Sequence, residues 1–393
     1  MAILRTENPP RRPDDCRSTR PRHRPTLYWC PVTSAIVDVV IPVHSATRPL
    51  RRAAASVLDH TAAPVAVIVV AHNIAGDTVR TMLEDLVDDD RVRVIELQDG
   101  IHSPAGPLNT GLDAATAPYV AVMGSDDEFA PGAVDSWLAL ARRTGAAMVI
   151  ARVFRVGQGN VAYPPVRPRR TRRLDPVKDR LSYRSAPLGL IERERLGDLR
   201  FTENLRSGED LPYTVHAWFS GHPLAYDVYG PAYLEHPDAT DRVSFAGRTV
   251  DEDFAFLAHV IDTQWFRSLS RRERTAVGVK ILRTQVFDAV ANRARIGRWD
   301  DDDRTSLQTI VSRILAVAPH AERLISRVDR ALLDAALAND SDPGTILHLI
   351  ERRWHYRSFN ALVPRNPFLV FHRQAPFRTL YAGFFLLRTA PKG

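Results

Sequence analysis

The chain is poor in cysteine, in lysine and in long apolar runs. Its two cysteines, Cys16 and Cys30, are too few for a disulfide framework or a four-cysteine zinc site. Of its 53 basic residues only Lys178, Lys280 and Lys392 are lysines, so its positive charge is arginine charge. The longest apolar run near the C-terminus, Leu380 to Leu387, is far short of the ~20 residues that span a bilayer. The arginine- and proline-rich N-terminus has no apolar segment of the secretory type. Gly157-Gln158-Gly159 lacks the third glycine and the following helix of a dinucleotide fingerprint, and no phosphate-cradling glycine loop ending in Gly-Lys-Ser or Gly-Lys-Thr occurs. Nothing beyond charge suggests a nucleic-acid reader, so no nucleic-acid partner is expected. What is present is a chain of 393 residues, 45% hydrophobic and 25% charged, with net charge +7. That composition predicts an intracellular, mildly basic soluble protein with one large domain of catalytic size and a second unit.

The charge is local. Residues 1–34 hold seven arginines against three acids together with six prolines, which predicts a disordered basic arm, because such a segment buries too little to offset its ordering entropy. Residues 164–184 hold eight basic residues against two acids and read as a mobile loop or an interrupted element. The rest of the chain is slightly acidic.

Order is expected from the β-branched run Ile36–Val43, followed by a helix with Leu50, Ala54, Val57 and Leu58 at helical spacing. A strand over Val65–Val70, a helix around Thr78–Val87, a strand over Arg91–Leu97, a helix over Leu108–Ala115 and a strand over Tyr119–Met123 continue the pattern. A helix near Gly132–Arg143 and a strand over Ala146–Phe154 complete it. Alternation at this pitch implies an α/β fold with a doubly wound, parallel sheet whose ligand sits at the carboxyl ends of the strands. From about residue 250 three apolar stripes predict helices: Leu282, Val286, Ala289 and Val290; Leu307, Ile310, Val311 and Ile314; Leu324, Ile325, Val328 and Leu332.

Two pairs of adjacent carboxylates carry the chemical signal. Asp126 and Asp127 end an apolar strand, where mutual repulsion demands water, a cation or a positive partner. A divalent ion on a diphosphate meets that demand with hard oxygen ligands, and a solvated helix cap meets it as well. Glu209 and Asp210, in Ser207-Gly-Glu-Asp-Leu211, favour the positive end of a helix. The four acids Asp300 to Asp303 precede a helix and read as N-terminal charge. The arginines of 167–173 offer a hold for a phosphate-bearing acceptor, a contact for anionic headgroups, or a solvated loop. From Phe368 onward, Phe371, Phe377, Tyr381, Phe384 and Phe385 alternate with Arg373, Arg378 and Arg388. This pattern fits a helix lying in a membrane interface or a final helix docked on the helical unit, and excludes a spanning helix.

Pro107-Leu-Asn-Thr-Gly-Leu-Asp-Ala-Ala-Thr-Ala-Pro-Tyr-Val-Ala-Val-Met-Gly-Ser-Asp-Asp127 resembles the segment of family-2 glycosyltransferases in which an Asn-x-Gly helix precedes a strand ending in Asp-x-Asp. Val39-Val-Ile-Pro-Val43 and Val67-Ile-Val-Val70 are similar to the nucleotide-binding start of that family, and the resemblance covers about 36–242. It implies a GT-A fold with a doubly wound mixed sheet over 35–245, leaving 1–34 as the arm and 246–393 as a C-terminal α-helical region. It implies a donor site at Pro42, Val43, His44, Asn73, Asn109, Ser125, Asp126 and Asp127, and a Mg2+ or Mn2+ ion on Asp126, Asp127 and His236. It implies Asp210 as the base that deprotonates the acceptor, with Glu209 positioning it or the acceptor. The chain departs from the family at Gly124-Ser125-Asp126, where the first Asp of Asp-x-Asp is replaced. It departs again at Ala71-His72-Asn73-Ile74, where Asp-Asp-Gly-Ser is common, and at Leu108, where arginine is usual. Glu351-Arg-Arg-Trp354 is similar to a motif of processive synthases, but Ile350 occupies the Gln position.

The activity implied is inverting, metal-dependent, hexosyltransferase-like transfer of a sugar from a nucleotide-sugar donor to an acceptor hydroxyl of a cell-envelope glycan, polymer or lipid. The setting implied is the cytoplasm, with peripheral contact to the inner face of an anionic membrane. Two alternatives stand beside it: transfer of another group from a nucleotide donor, and a catalytically silent polyanion-binding module.

Overall fold

The computed structural model describes residues 34–237, 247–339 and 341–391. The basic arm expected over 1–34, with both cysteines, lies outside the described residues apart from Ser34.

The first strand, β1 (Val37–Val43), is buried along nearly its whole length, as a central strand covered on both faces must be. Helix α1 (Leu50–Asp59), β2 (Val65–His72), α2 (Gly76–Leu83), β3 (Val92–Leu97), α3 (Ala105–Ala114) and β4 (Tyr119–Val122) follow in alternation. The helix expected to reach Val87 stops at Leu83, because Glu84 takes φ +54° and the chain continues as a 3-10 turn. After β5 (Glu128–Phe129) and α4 (Ala133–Thr144) come β6 (Met148–Ala151) and β7 (Val153–Arg155). The single strand expected over 146–154 is therefore two, divided at buried Arg152, whose guanidinium donates to the carbonyl of Gly230 and the side chain of Asn160. The remaining elements of this half are β8 (Gly159–Asn160), β9 (Gly189–Glu192), α5 (Arg193–Leu196), α6 (Asp210–Trp218), β10 (Leu224–Asp227) and β11 (Tyr233–Glu235).

The main sheet has seven strands in the order β10-β6-β9-β4-β1-β2-β3. It is mixed, because β9 lies antiparallel between β4 and β6 while the other pairs are parallel. In register, Val43 stands beside Ala71 and Val40 beside Val122, so the ends of β1, β2 and β4 lie along one edge. A small sheet, β5-β11-β7-β8, pairs Leu234 with Glu128 and so brings the end of β11 beside the Asp126–Asp127 turn. One face of the main sheet (Val39, Ile41, Val67, Val69) packs on Leu50, Ala54 and Val57 of α1 and on Trp137 of α4. The other face (Val40, Ile68, Val70) packs on Leu112 of α3 and belongs to the same core as the C-terminal helices.

Those helices are α7 (Val250–Phe254), α8 (Gln264–Ser268), α9 (Arg271–Ile281), α10 (Phe287–Arg295), α11 (Asp301–Val317), α12 (Arg327–Leu337), α13 (Pro343–Trp354), α14 (Phe359–Leu362) and α15 (Pro376–Thr389). Serine and threonine caps set several of their starts, with reciprocal capping boxes at Thr249, Ser270 and Ser326. The first expected stripe is buried across a π-helical turn, Leu282–Val286, that joins α9 to α10. The second is the buried side of α11. The third is interrupted: Leu324 ends a 3-10 turn, Ser326 caps α12, and only Val328 and Leu332 lie on that helix. No described helix is long and apolar enough to cross a membrane.

Residues 164–184 are irregular but held by hydrogen bonds, which fits the reading as an interrupted element better than that as a mobile loop. Arg167 forms a two-pronged pair with Asp179, whose side chain is fully buried. Arg180 donates to the carbonyls of Pro165 and Arg373, and Arg184 to those of Ala151 and Tyr163. Three of the arginines that suggested a solvated segment therefore supply the hydrogen bonds that order it. Helix α15 docks here: a Cβ on Gly383 would stand 3.5 Å from Ala162 Cβ and 3.9 Å from Pro165 Cβ, and the Pro391 carbonyl accepts from Asn160 and Arg152.

Asp38 shows how a buried charge holds the layers together. Its carboxylate on β1 accepts from the backbone N–H groups of Thr116 (2.6 Å) and Ala117 (2.8 Å), where the chain turns from α3 into β4. Asp38→Ala leaves the buried N–H of Ala117 and the part-buried N–H of Thr116 without this acceptor and is expected to cost about 1–3 kcal/mol in urea unfolding, with Asp38→Asn losing less because its amide oxygen still accepts. An alanine variant as stable as the parent would show that this contact contributes nothing.

Candidate active site at the strand ends

The carboxyl ends of β1, β2 and β4 open into a cavity of about 440 Å3. Pro42, Val43, His44, Asn73, Ser125, Asp126 and Asp127 all line it, joined by Arg48, His72, Glu235 and the turn His102–Pro104. Asn73 takes φ +55° at the end of β2, and its side chain ties the next loop across the opening. Its amide oxygen accepts from the N–H groups of Asp99 and Gly100, and its amide nitrogen donates to the Asp99 carboxylate and the Ile101 carbonyl. His72 Nε2 lies 2.8 Å from the same Asp99 carboxylate. Asn109 is placed elsewhere. It is buried beneath α3 and bonds to both backbone groups of Phe201 and to Glu203, a tie between α3 and the segment that leads into α6.

The carboxylates of the 124–127 turn are separated by environment. Asp126 pairs with Arg48 at 2.9 Å, and its carbonyl accepts from Arg52. Asp127 is buried; Tyr233 donates to one oxygen at 2.6 Å and the His236 backbone N–H to the other at 3.1 Å. Burial, with the neighbouring Asp126 charge, pushes the Asp127 carboxyl up to about 7 against those hydrogen bonds. The fold-back of both side chains gives a physical reason for glycine at 124, since a Cβ there would meet Asp127 Oδ2 at 2.8 Å and Asp126 Oδ1 at 3.0 Å. His236 lines neither this cavity nor the next; its Nε2 lies 2.5 Å from Glu128. Glu235 lines the cavity and pairs with Arg155 at 2.6 Å.

Glu209 and Asp210 sit at the start of α6. Gly208 turns the chain there at φ +77°, and a Cβ on it would meet the Phe256 ring at 2.9 Å. Both carboxylates line a second cavity of about 340 Å3, together with Ser185, Arg206, Arg248, Asp253 and Gln285. Pro104 lines both cavities, so the two adjoin at the N-terminal edge of α3. Burial pushes Glu209 up to about 7, helped by the Asp210 charge. Burial also raises Asp210, against the pull of the Lys280 charge.

Lys280, on α9, is the residue that motif reasoning missed. Its side chain is almost fully buried, it donates to Ser185 Oγ at 3.0 Å, and burial pushes it down to about 8 while Asp210 opposes the shift. The available signal was its rarity, one of three lysines in an arginine-rich chain. Without an acidic partner beside it in sequence, its interaction with Asp210 and Ser185 becomes visible only in the folded chain.

Because folded Glu209 keeps a proton that the unfolded chain loses above about 4.5, its contribution to stability is present below that pH and is lost as pH rises through about 7. Glu209→Gln is therefore expected to flatten the fall of the urea midpoint between about pH 5 and pH 8. An identical slope in parent and variant would show that Glu209 is ionised in the folded protein.

Comparison with known proteins agrees with this geometry. Residues 38–199 match the model of Glycosyl transferase family 2. A 126-residue stretch is 27% identical to GalNAc(5)-diNAcBac-PP-undecaprenol beta-1,3-glucosyltransferase of Campylobacter jejuni subsp. jejuni serotype O:2, covering 32% of this chain and 40% of that protein. The chain thus spans well under half the length of that curated relative. In structure it is similar to S. aureus TarS residues 1–349 in complex with UDP-GlcNAc, with TM-score 0.65, 16% identity, and 82% of this chain and 93% of that one covered. The complex of the same TarS fragment with UDP gives TM-score 0.63 at 15% identity, over 82% and 92% of the two chains. At that identity the likeness speaks for the fold. The chain accordingly carries a glycosyltransferase family-2 domain of GT-A fold, with a helical C-terminal region.

Proposed function

We propose that this chain is an inverting glycosyltransferase that moves a sugar from a nucleotide-sugar donor to an acceptor hydroxyl. The observation that carries the reading is the pair of adjoining cavities that meet at Pro104, one ending in Asp126 and the other in Asp210. The donor occupies the larger cavity, with Pro42, Val43, His44 and Asn73 around the nucleotide and Ser125–Asp127 at its diphosphate. The acceptor occupies the smaller one. Its oxygen attacks the anomeric carbon as the bond from that carbon to the diphosphate breaks, and its proton passes to Asp210. Lys280 favours the ionised form of Asp210 in a site whose burial disfavours it. Glu209, protonated in part near neutrality, positions the acceptor. Residues 35–245 carry both sites, and 246–393 supply α9 and the wall behind Asp210. The UDP-GlcNAc of the TarS complex supports a nucleotide-sugar donor, and the undecaprenol in the Campylobacter enzyme's name supports a lipid-linked or polymeric envelope acceptor. Such a reaction belongs to the cytoplasm, at the inner face of the membrane.

The fit for Mg2+ or Mn2+ rests on Asp126. Among the described residues no group of three or more His, Cys, Asp or Glu side chains is arranged to hold a metal ion. Magnesium, however, is commonly held by one or two carboxylates with substrate phosphates completing its shell. Asp126, at the cavity wall with Asp127 beside it, suits that role, whereas His236 directs Nε2 to Glu128. When bound, the ion would neutralise charge on the leaving diphosphate. Arg48, paired with Asp126 and lining the same cavity, is a second positive group at that position.

Asp210→Asn is expected to lower transfer by about 10²–10⁴-fold while keeping the fold and the thermal shift caused by donor. Lys280→Met, by removing a charge that lowers the Asp210 pKa, is expected to move the acidic limb of the rate profile to higher pH. Full activity in Asp210→Asn would remove Asp210 as the base; an unmoved limb in Lys280→Met would leave Lys280 a packing role only.

A further inference from the structure

We infer that the outer face of α15, with the turn before it and the Arg169–Arg170 loop, is a docking surface for an anionic lipid bilayer. This inference goes beyond the transfer reaction and stands whether or not the Asp210 cavity performs it.

Helix α15 is apolar on both sides. Thr379, Ala382, Gly383 and Leu386 are buried against the fold. Phe377, Leu380, Tyr381, Phe384 and Leu387 are exposed, and at about 100° per residue they form one continuous stripe opposite the buried one. A helix that is apolar all round is normally buried all round, so the exposed stripe calls for a covering partner. The turn before the helix extends the surface. Phe368 is 92% exposed and Phe371 is 68% exposed, and Phe371 meets Phe377 edge to face with ring centres 5.9 Å apart. Aromatic rings gathered at a surface in this way are unusual for a face that meets only water.

Charge identifies the partner. After Glu351 the sequence contains eight arginine and lysine residues and no aspartate or glutamate. Arg373 and Arg388 are exposed beside the aromatic stripe, and Arg388 stacks on Phe384. A second basic segment, distant in sequence, flanks the same helix: Arg169 and Arg170 line one crevice with Phe385, Leu386 and Thr389 of α15, at the side of the exposed stripe. Both are exposed, in contrast to Arg167, which is spent on Asp179. The acids of that loop are already matched, Asp179 by Arg167 and Asp175 by Lys178. A surface whose middle is aromatic and aliphatic and whose rim is arginine is complementary to acyl chains below and anionic phosphates above. A second copy of this chain would bring arginine rim against arginine rim, and a neutral apolar partner would leave the rim unused.

The test is co-sedimentation of the full chain with extruded vesicles of phosphatidylcholine alone or mixed about three to one with phosphatidylglycerol, at low and high salt. Binding is expected on the anionic vesicles and is expected to weaken with salt. In the variant Phe371→Ser/Tyr381→Ser/Phe384→Ser the partition coefficient is expected to fall by about tenfold or more, with the thermal midpoint unchanged. A second variant, Arg169→Gln/Arg170→Gln/Arg388→Gln, removes charge without touching the apolar stripe and is expected to lose the preference for anionic vesicles. The proposal is overturned by no binding to anionic vesicles at low salt, by equal binding to neutral ones, or by binding that survives both sets of substitutions. It is overturned equally by a concentration-dependent dimer that the serine variant abolishes.

Discussion

The arrangement depends on how two pairs of adjacent carboxylates are kept from repelling each other in half-desolvated cavities. The same solution appears twice. In each pair one acid is pushed towards neutrality and the other faces a cation. Asp127 rises to about 7 while Asp126 rests on Arg48; Glu209 rises to about 7 while Asp210 feels Lys280. Each pair therefore presents less negative charge than its two carboxylates suggest in the sequence. Much of the surrounding architecture serves this separation. Tyr233 crosses from the small sheet to bond Asp127, and the pairing of β11 with β5 in that sheet brings the end of β11 to the turn. Lys280, bonded to Ser185, brings a positive charge to bear on Asp210, and glycine at 124 leaves room for Asp126 and Asp127 to fold back.

The main lines of the fold were legible because they follow from short-range pattern. Strands β1, β2, β3 and β4 are β-branched runs of the right length, and their alternation with helices dictates where their ends meet. Of the eight donor residues that the family resemblance implied, seven line one cavity. Asn109 does not line that cavity, and its amide bonds to Phe201 and Glu203 instead. What was not legible depends on contacts between distant segments. The antiparallel insertion of β9, the break at Arg152 and the cation behind Asp210 each need partners 20 or more residues away. The segment 164–184 was ambiguous for the same reason, since composition cannot tell an arginine in water from one that satisfies buried carbonyls.

The C-terminal stretch illustrates a related point. Its aromatic and arginine pattern allowed either a docked helix or an interfacial one, and the fold realises features of both. One side of α15 is docked, in part on the 160–180 segment, and the other side is left open beside arginines from two parts of the chain. The basic character of the chain thus has two parts: arginines that build the interior of an irregular segment, and arginines that collect at one surface.

The central claim is that the two cavities meeting at Pro104 hold donor and acceptor on opposite sides of the anomeric carbon. A structure of this chain with a nucleotide sugar tests it most directly. The account predicts the diphosphate beside Asp126 and Arg48, the base between Val43 and Asn73, and the anomeric carbon opening towards the Asp210 cavity. A nucleotide bound elsewhere, or a sugar whose anomeric carbon faces away from Asp210, would contradict it.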